Sequence, residues 1–542
     1  MRKPLRIIAA VVAPVPIAAG IVFAATANAT GTGAAPMVAV PHNVNAAVAG
    51  STRTGDLAPN HPMSLAVSLK PHDEAGLHRF LAQVGDRSSP LYHHYLTPTQ
   101  FTARYGPSTQ DVAKVTGYLR SAGLTVTHVS GNRQVVDATG TAATVDKAFA
   151  TRVATYRQGT KSFYANASAP SLPSDVAGVV AGISGLDNHA TRHSAAVPNQ
   201  KVGKHPLAVA GLTPAQLRTA YHTSSLGDGK GQTVALWEFD GYQASNIAGY
   251  DNQFGLKAPA PQTVSVDGAN YDASPGQGQG EVELDVELVQ AMAPAANTLV
   301  YEAPNSDQGQ VDMANQIVTD DRVSVTSVSW GECETAASQA SITGTDNALQ
   351  QGAAEGISFF VASGDSGSDD CRTGGTAVDY PASDPNVSGA GGTSLTTDAS
   401  GGYGSETAWS GSGGGDSAVF GTPAYQNDPS GRRAVPDVSL DADPNTGYAI
   451  FSAGQWLEFG GTSCAAPMWA GFAALYDAKS VGRLGNGNQA FYSIASGPAG
   501  GSAFHDITSG SNGAFDAGAG YDAVTGLGSY DGAGLAAALG GG

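Results

Sequence analysis

The chain has 542 residues, 41% of them hydrophobic and 13% charged, with 71 glycines and no Gly-X-Y period. That is apolar material for about two to four domains, and it excludes both wholesale disorder and a collagen-like rod. The formal charge of −19 repels phosphate, which argues against nucleic acid and anionic membranes as partners.

The charge is unevenly placed. Residues 1–200 hold 16 Lys+Arg against 9 Asp+Glu, and the rest of the chain holds 11 against 37. The two parts therefore attract each other near neutrality, and that attraction weakens as carboxylates protonate. At the start, Met1-Arg2-Lys3-Pro4-Leu5-Arg6, an apolar run from Ile7 to Ala25 and Ala27-Asn28-Ala29 describe a signal peptide over residues 1–29. No later run is long and apolar enough to span a membrane, so the chain is expected to be exported and free of the membrane.

A compact unit follows at 60–187. Ser64–Lys70 alternates as a strand does, while Ala75–Val84 and Gln110–Ala122 have helical spacing. Strands at Leu124–His128 and Val135–Ala138, a helix at Ala142–Phe149 and a closing strand at Val153–Tyr156 give a ferredoxin-like α+β order. Residues 188–206 are polar and aperiodic, and read as a linker and processing region. From 207 to 542, apolar strands at Thr233–Trp237, Asn297–Tyr301, Val323–Ser329 and Ile357–Ala362 alternate with helices. This predicts a parallel sheet with helices on both faces. Of three cysteines, Cys333 and Cys371 both follow strand ends and are the expected disulfide, leaving Cys464 free.

Three segments carry candidate chemistry. Gly460-Gly461-Thr462-Ser463 leads into an apolar helix, where Ser463 is either a simple N-cap or an exposed nucleophile. Its base is not obvious, because only His222 and His505 follow residue 206 and neither sits in a glycine-rich helix entry. Glu281-Val282-Glu283-Leu284-Asp285-Val286-Glu287 places Glu281 and Asp285 on one helix face and Glu283 and Glu287 on another. Acids in a first helical turn complement its dipole, but two like-charged i,i+4 pairs in seven residues call for more. Ser363-Gly364-Asp365-Ser366-Gly367 ends a buried strand, where open α/β sheets hold ligands and where turn aspartates also cap their own backbone.

Together, in this order, the segments resemble the sedolisin family (S53) of serine-carboxyl peptidases, with a pro-kumamolisin-type activation domain ahead of a subtilisin-like catalytic domain. The resemblance implies a secreted, self-processing proenzyme that hydrolyses polypeptides in acid, inhibited by its own prodomain and acting as a monomer. Ser463 would be the nucleophile, Glu281 the base, Asp285 its partner and Asp365 the oxyanion donor. That last role requires a protonated carboxyl. Glu238 and Trp330 would support Glu281, and Asp379 would lie near the substrate pockets. Asp506, Asp522 and the carbonyls of Ile507, Gly518 and Gly520 match the family's calcium loop, an oxygen donor set suited to one structural Ca²⁺.

Overall fold

The computed structural model describes residues 35–199, 209–480 and 482–540; the expected signal peptide and residues 200–206 of the linker lie outside them. In the N-terminal unit, the first expected strand runs from Pro62 to Leu69 at the middle of a four-stranded antiparallel sheet. Val135–Thr141 and Val180–Ser184 flank it, with Thr125–Val129 at one edge. Helices at Glu74–Val84, Thr109–Ser121 and Ala142–Ala148 follow the expected order. Val115, Leu119 and Val145 bury against Leu65, Val67 and Val136.

The closing strand differs from expectation. Val153–Gln158 turns through Gly159 (φ +58) straight into Lys161–Asn166, and this hairpin joins Thr52–Asp56 in a separate sheet. A local two-residue turn costs far less chain entropy than a long-range pairing. The fourth place goes to Val180–Ser184, a segment interrupted by Gly182. A side chain at Gly182 would meet Ala340 at 3.0 Å, so the glycine lets this sheet lie directly on the Gln339–Glu355 helix.

In the C-terminal part, the strand order is Gln262–Ser265, Asn297–Glu302, Thr233–Glu238, Val325–Val328, Ser358–Ala362 and Ser388–Thr397, all parallel. Tyr403–Ala408 adds an antiparallel edge, and Val438–Asp441 pairs with Ser388–Thr397 as a parallel branch. Alternation assigns the two faces. Val234 and Leu236 point into the core under the Gln279–Met292 and Thr462–Asp477 helices. Ala235 and Trp237 point to the opposite core, under Asp307–Asp320 and Gln339–Glu355.

The N-terminal unit docks on this second helix pair. Asn132 Nδ2 donates to Asn315 Oδ1 at 2.9 Å and to Gln351 Oε1 at 2.8 Å, and the Leu96 N–H donates to the Ala354 carbonyl. Among the described residues, every ion pair joining the two parts comes from the linker, through Arg192 and His193.

The two central helices meet at Gly471, where a Cβ would lie 2.5 Å from Met292 Cβ. Gly471→Ala is expected to overpack this contact, costing about 1–3 kcal/mol and lowering the melting temperature by several degrees in a thermal unfolding scan.

Candidate active site

The acid-bearing helix starts where Asp240 fixes a glycine-rich loop. Its two carboxylate oxygens accept the Gly276 and Gly278 N–H groups, both at 2.7 Å. Trp330 packs against the same loop, its Cη2 sitting 2.7 Å from where a Cβ of Gly278 would be. All four acids of the helix are buried, and they sort by face as the spacing predicts. Glu283 Oε1 accepts from Gln243 N, Asn246 Nδ2 and Gln279 Nε2, and Glu287 Oε2 accepts from Phe451 N at 2.8 Å. That pair braces neighbouring elements. Glu281 and Asp285 turn toward Ser463.

Ser463 is the second residue of the Thr462–Asp477 helix, whose N-cap is Gly461 and not the serine. Gly461 enters it at φ +97, a conformation suited to glycine. Pro467 has no N–H for the Ser463 carbonyl four residues back, and Ser329 Oγ lies 3.4 Å from that carbonyl instead. Ser463 Oγ donates to Glu281 Oε2 at 2.8 Å. Ser329 Oγ donates to Asp285 Oδ1 at 2.8 Å, and Trp330 Nε1 donates to Glu238 Oε2 at 2.7 Å. Glu238, Ser329 and Asp365 all sit at or just beyond the C-terminal ends of three adjacent parallel strands.

Glu281 also faces the Ser194 side chain, and the buried Glu238 and Asp285 carboxyls hydrogen-bond each other. Burial pushes all three carboxyls well above the usual range. Asp285 raises Glu281 further, and Glu281 and Asp285 face Glu238 in turn. Asp365 Oδ1 accepts from Thr462 N at 2.8 Å, while its Oδ2 is buried without a partner. Burial lifts the Asp365 carboxyl to about 7, against the lowering effect of the Thr462 hydrogen bonds.

The linker runs through this cleft. His193 and Ser194 pair antiparallel with Gly331 and Trp330, and Val197 and Pro198 pair with Gly460 and Phe459. The Ala195 carbonyl accepts the Ser463 N–H at 3.2 Å. Asp379 is buried beside the linker, its Oδ2 3.1 Å from His193 Nε2. Ser329 and the residues around Arg192 were not singled out in the sequence; the position of Ser329 at a strand end, one residue before Trp330, was the available signal. Neither of the two histidines after residue 206 approaches Ser463: His222 pairs with Asp531, and His505 stacks on Tyr403.

In the C-terminal loop, Asp506 accepts the Gly520 N–H, and Asp522 accepts the Gly518 N–H at 3.0 Å, so both aspartates converge on one turn. Cys333 and Cys371 form a disulfide, and Cys464 is buried and free.

Residues 49–189 match the model of the Pro-kumamolisin activation domain, and residues 264–481 match that of the Subtilase family. Sedolisin of Pseudomonas sp. (strain 101) is 33% identical over 522 residues, covering 89% of this chain and 88% of that protein. Kumamolisin of Bacillus sp. (strain MN-32) is 33% identical over 493 residues, covering 84% of this chain and 88% of that protein. The solved structure of Pseudomonas sedolisin, a serine-carboxyl proteinase complexed with two molecules of pseudo-iodotyrostatin, aligns with a TM-score of 0.58 at 34% identity. It covers 61% of this chain and 98% of that one. The chain therefore belongs to the sedolisin family (S53) of serine-carboxyl peptidases.

Proposed function

We propose that the chain is an exported proenzyme that cleaves itself and then other polypeptides in acid, through Ser463, Glu281, Asp285 and Asp365. The observation that carries this reading is the 2.8 Å hydrogen bond from Ser463 Oγ to Glu281, in a cleft where no described histidine touches Ser463. Glu281 takes the Ser463 proton as Oγ adds to the scissile carbonyl, then returns it to the leaving amine. Asp285 stands behind Glu281 and favours its protonated form, while Glu238, itself held by Trp330, hydrogen-bonds Asp285 in turn. The Ser463 N–H and a protonated Asp365 would receive the developing oxyanion. Hydrogen bonds from Ser194 and Ser463 favour the ionised Glu281 that this step needs, against burial and the neighbouring Asp285.

Export rests on the basic, apolar and small-residue pattern of residues 1–29, and no described helix is long and apolar enough to cross a membrane. For Ca²⁺, the two aspartates that meet at the Gly518–Asp522 turn supply hard oxygen donors. No cluster of three acidic, His or Cys side chains is present there among the described residues, so main-chain carbonyls such as those of Ile507, Gly518 and Gly520 would complete the set. Bound there, the ion would be structural and would order a glycine-rich loop.

Three outcomes follow from this reading. Ser463→Ala is expected to abolish both self-cleavage and hydrolysis of an unfolded protein, a loss of at least about 10⁴-fold. Wild-type activity is expected only in acid, falling as pH rises through about 7, where the raised Asp365 carboxyl loses its donor proton. Asp365→Asn keeps an N–H donor at every pH, so its slower activity should extend to higher pH; an unmoved limb would assign the fall to another group. Chelation should lower the melting temperature and added calcium restore it, by about 2.7 kcal/mol at a hundredfold excess over Kd, and Asp522→Ala should lose that response.

A further inference from the structure

The guanidinium of Arg192 is fully buried, yet every side chain that receives it belongs to the peptidase part. Nε donates to Gln310 Oε1, and Nη2 donates to Asp307 Oδ1 and Glu332 Oε1, each at 2.7 Å, with Ser341 Oγ 3.4 Å away. Asn305 grips the backbone of the same residue, accepting its N–H at 3.0 Å and donating to its carbonyl at 2.8 Å. Asp307 and Glu332 have no other ion pair among the described residues. Two carboxylates walled from water are costly to keep without a cation, and they stay behind when the prodomain leaves.

The register from this cage to Ser463 is fixed. His193 and Ser194 lie in the antiparallel ladder with Gly331 and Trp330, and the Ala195 N–H donates to the Ser329 carbonyl at 3.1 Å. The Ala195 carbonyl oxygen then meets the Ser463 N–H. A Cβ on Gly461 would lie 2.1 Å from that oxygen and 2.8 Å from Asp365 Oδ2, so both crowd the same point. Beyond it, Val197 and Pro198 cross to the opposite wall of the cleft.

We propose that Asp307, Gln310 and Glu332 form a guanidinium-binding subsite of the mature peptidase, which selects arginine three residues before the residue whose carbonyl is attacked. In the precursor this register sets the cut at the Ala195–Ala196 bond. The proposal rests on the peptidase reading of Ser463. Ser463 Oγ adds to the Ala195 carbonyl carbon while Glu281 takes the hydroxyl proton. That proton passes to the Ala196 nitrogen as the C–N bond breaks. Water then hydrolyses the Ala195 ester, freeing a carboxyl at 195 and restoring the Ser463 hydroxyl. The cage engages Nε and Nη2 together, a fork that lysine cannot present.

The test uses the acid-treated full-length protein and two peptides carrying the sequence of residues 191–199, one with arginine and one with the neutral isostere citrulline at the position of Arg192. The arginine peptide is expected to be cut between the two alanines, and citrulline to lower kcat/KM about 10- to 100-fold. Asp307→Asn combined with Glu332→Gln should shrink that ratio toward one, with folding checked by circular dichroism and by cleavage of the citrulline peptide. The mature chain should begin at Ala196 by N-terminal sequencing. Equal kcat/KM for the two wild-type reactions would overturn the subsite, and a different N-terminus would overturn the register; both leave the peptidase reading standing. Loss of all Ser463-dependent cleavage would instead overturn the peptidase reading.

Discussion

Around Ser463, protons do the work that cations usually do in buried carboxylate clusters. Glu238, Glu281 and Asp285 are shut away from water, and Glu238 and Asp285 hydrogen-bond each other, which requires a proton between them. Among the described residues, no lysine or arginine acts on them. Ionising all three there would be prohibitively costly, so the folded state binds protons that the unfolded chain would release. The sign follows: each raised pKa contributes stability that is present below the ordinary carboxyl range and is lost as pH rises above it. The protonated state is the one in which this centre is electrostatically consistent, and burial raises the Asp365 carboxyl in the same way.

The attraction between the basic and acidic parts is more local than the net charges suggest. It is concentrated in the linker, where Arg192 enters a buried carboxylate cage and His193 meets Asp379. The body of the N-terminal unit docks mainly by amide hydrogen bonds and close packing. It even sets Asp137, raised to about 7, near Asp267 and Asp312, so carboxylates face carboxylates there. Protonation therefore acts in opposite directions on the two contacts. It weakens the ionic hold on the linker and relieves repulsion under the sheet.

Much of the site was legible because its chemistry is written in short, ordered segments. Helical spacing placed Glu281 with Asp285 and separated them from Glu283 and Glu287, which the hydrogen bonds bear out. The parallel strands were readable from near-continuous apolar runs. The closing strand of the N-terminal unit was misread because strand propensity says nothing about partner choice, and a tight turn at Gly159 settled it locally. Arg192 was hidden for another reason. Its partners Asp307, Gln310, Glu332 and Ser341 come from three elements far along the chain, and no spacing in a linker announces such a cage.

The odd cysteine sits one residue from the hydroxyl at the centre of the cleft, yet it is fully buried, and burial with the surrounding carboxyls holds its thiol well above the usual range. With essentially no thiolate and no access, Cys464 is chemically silent in the folded protein. Its reactivity is thereby tied to the integrity of the central helix. Cys464 follows Ser463 directly in that helix, so an opening that admits a thiol reagent disturbs the segment holding the Ser463–Glu281 hydrogen bond.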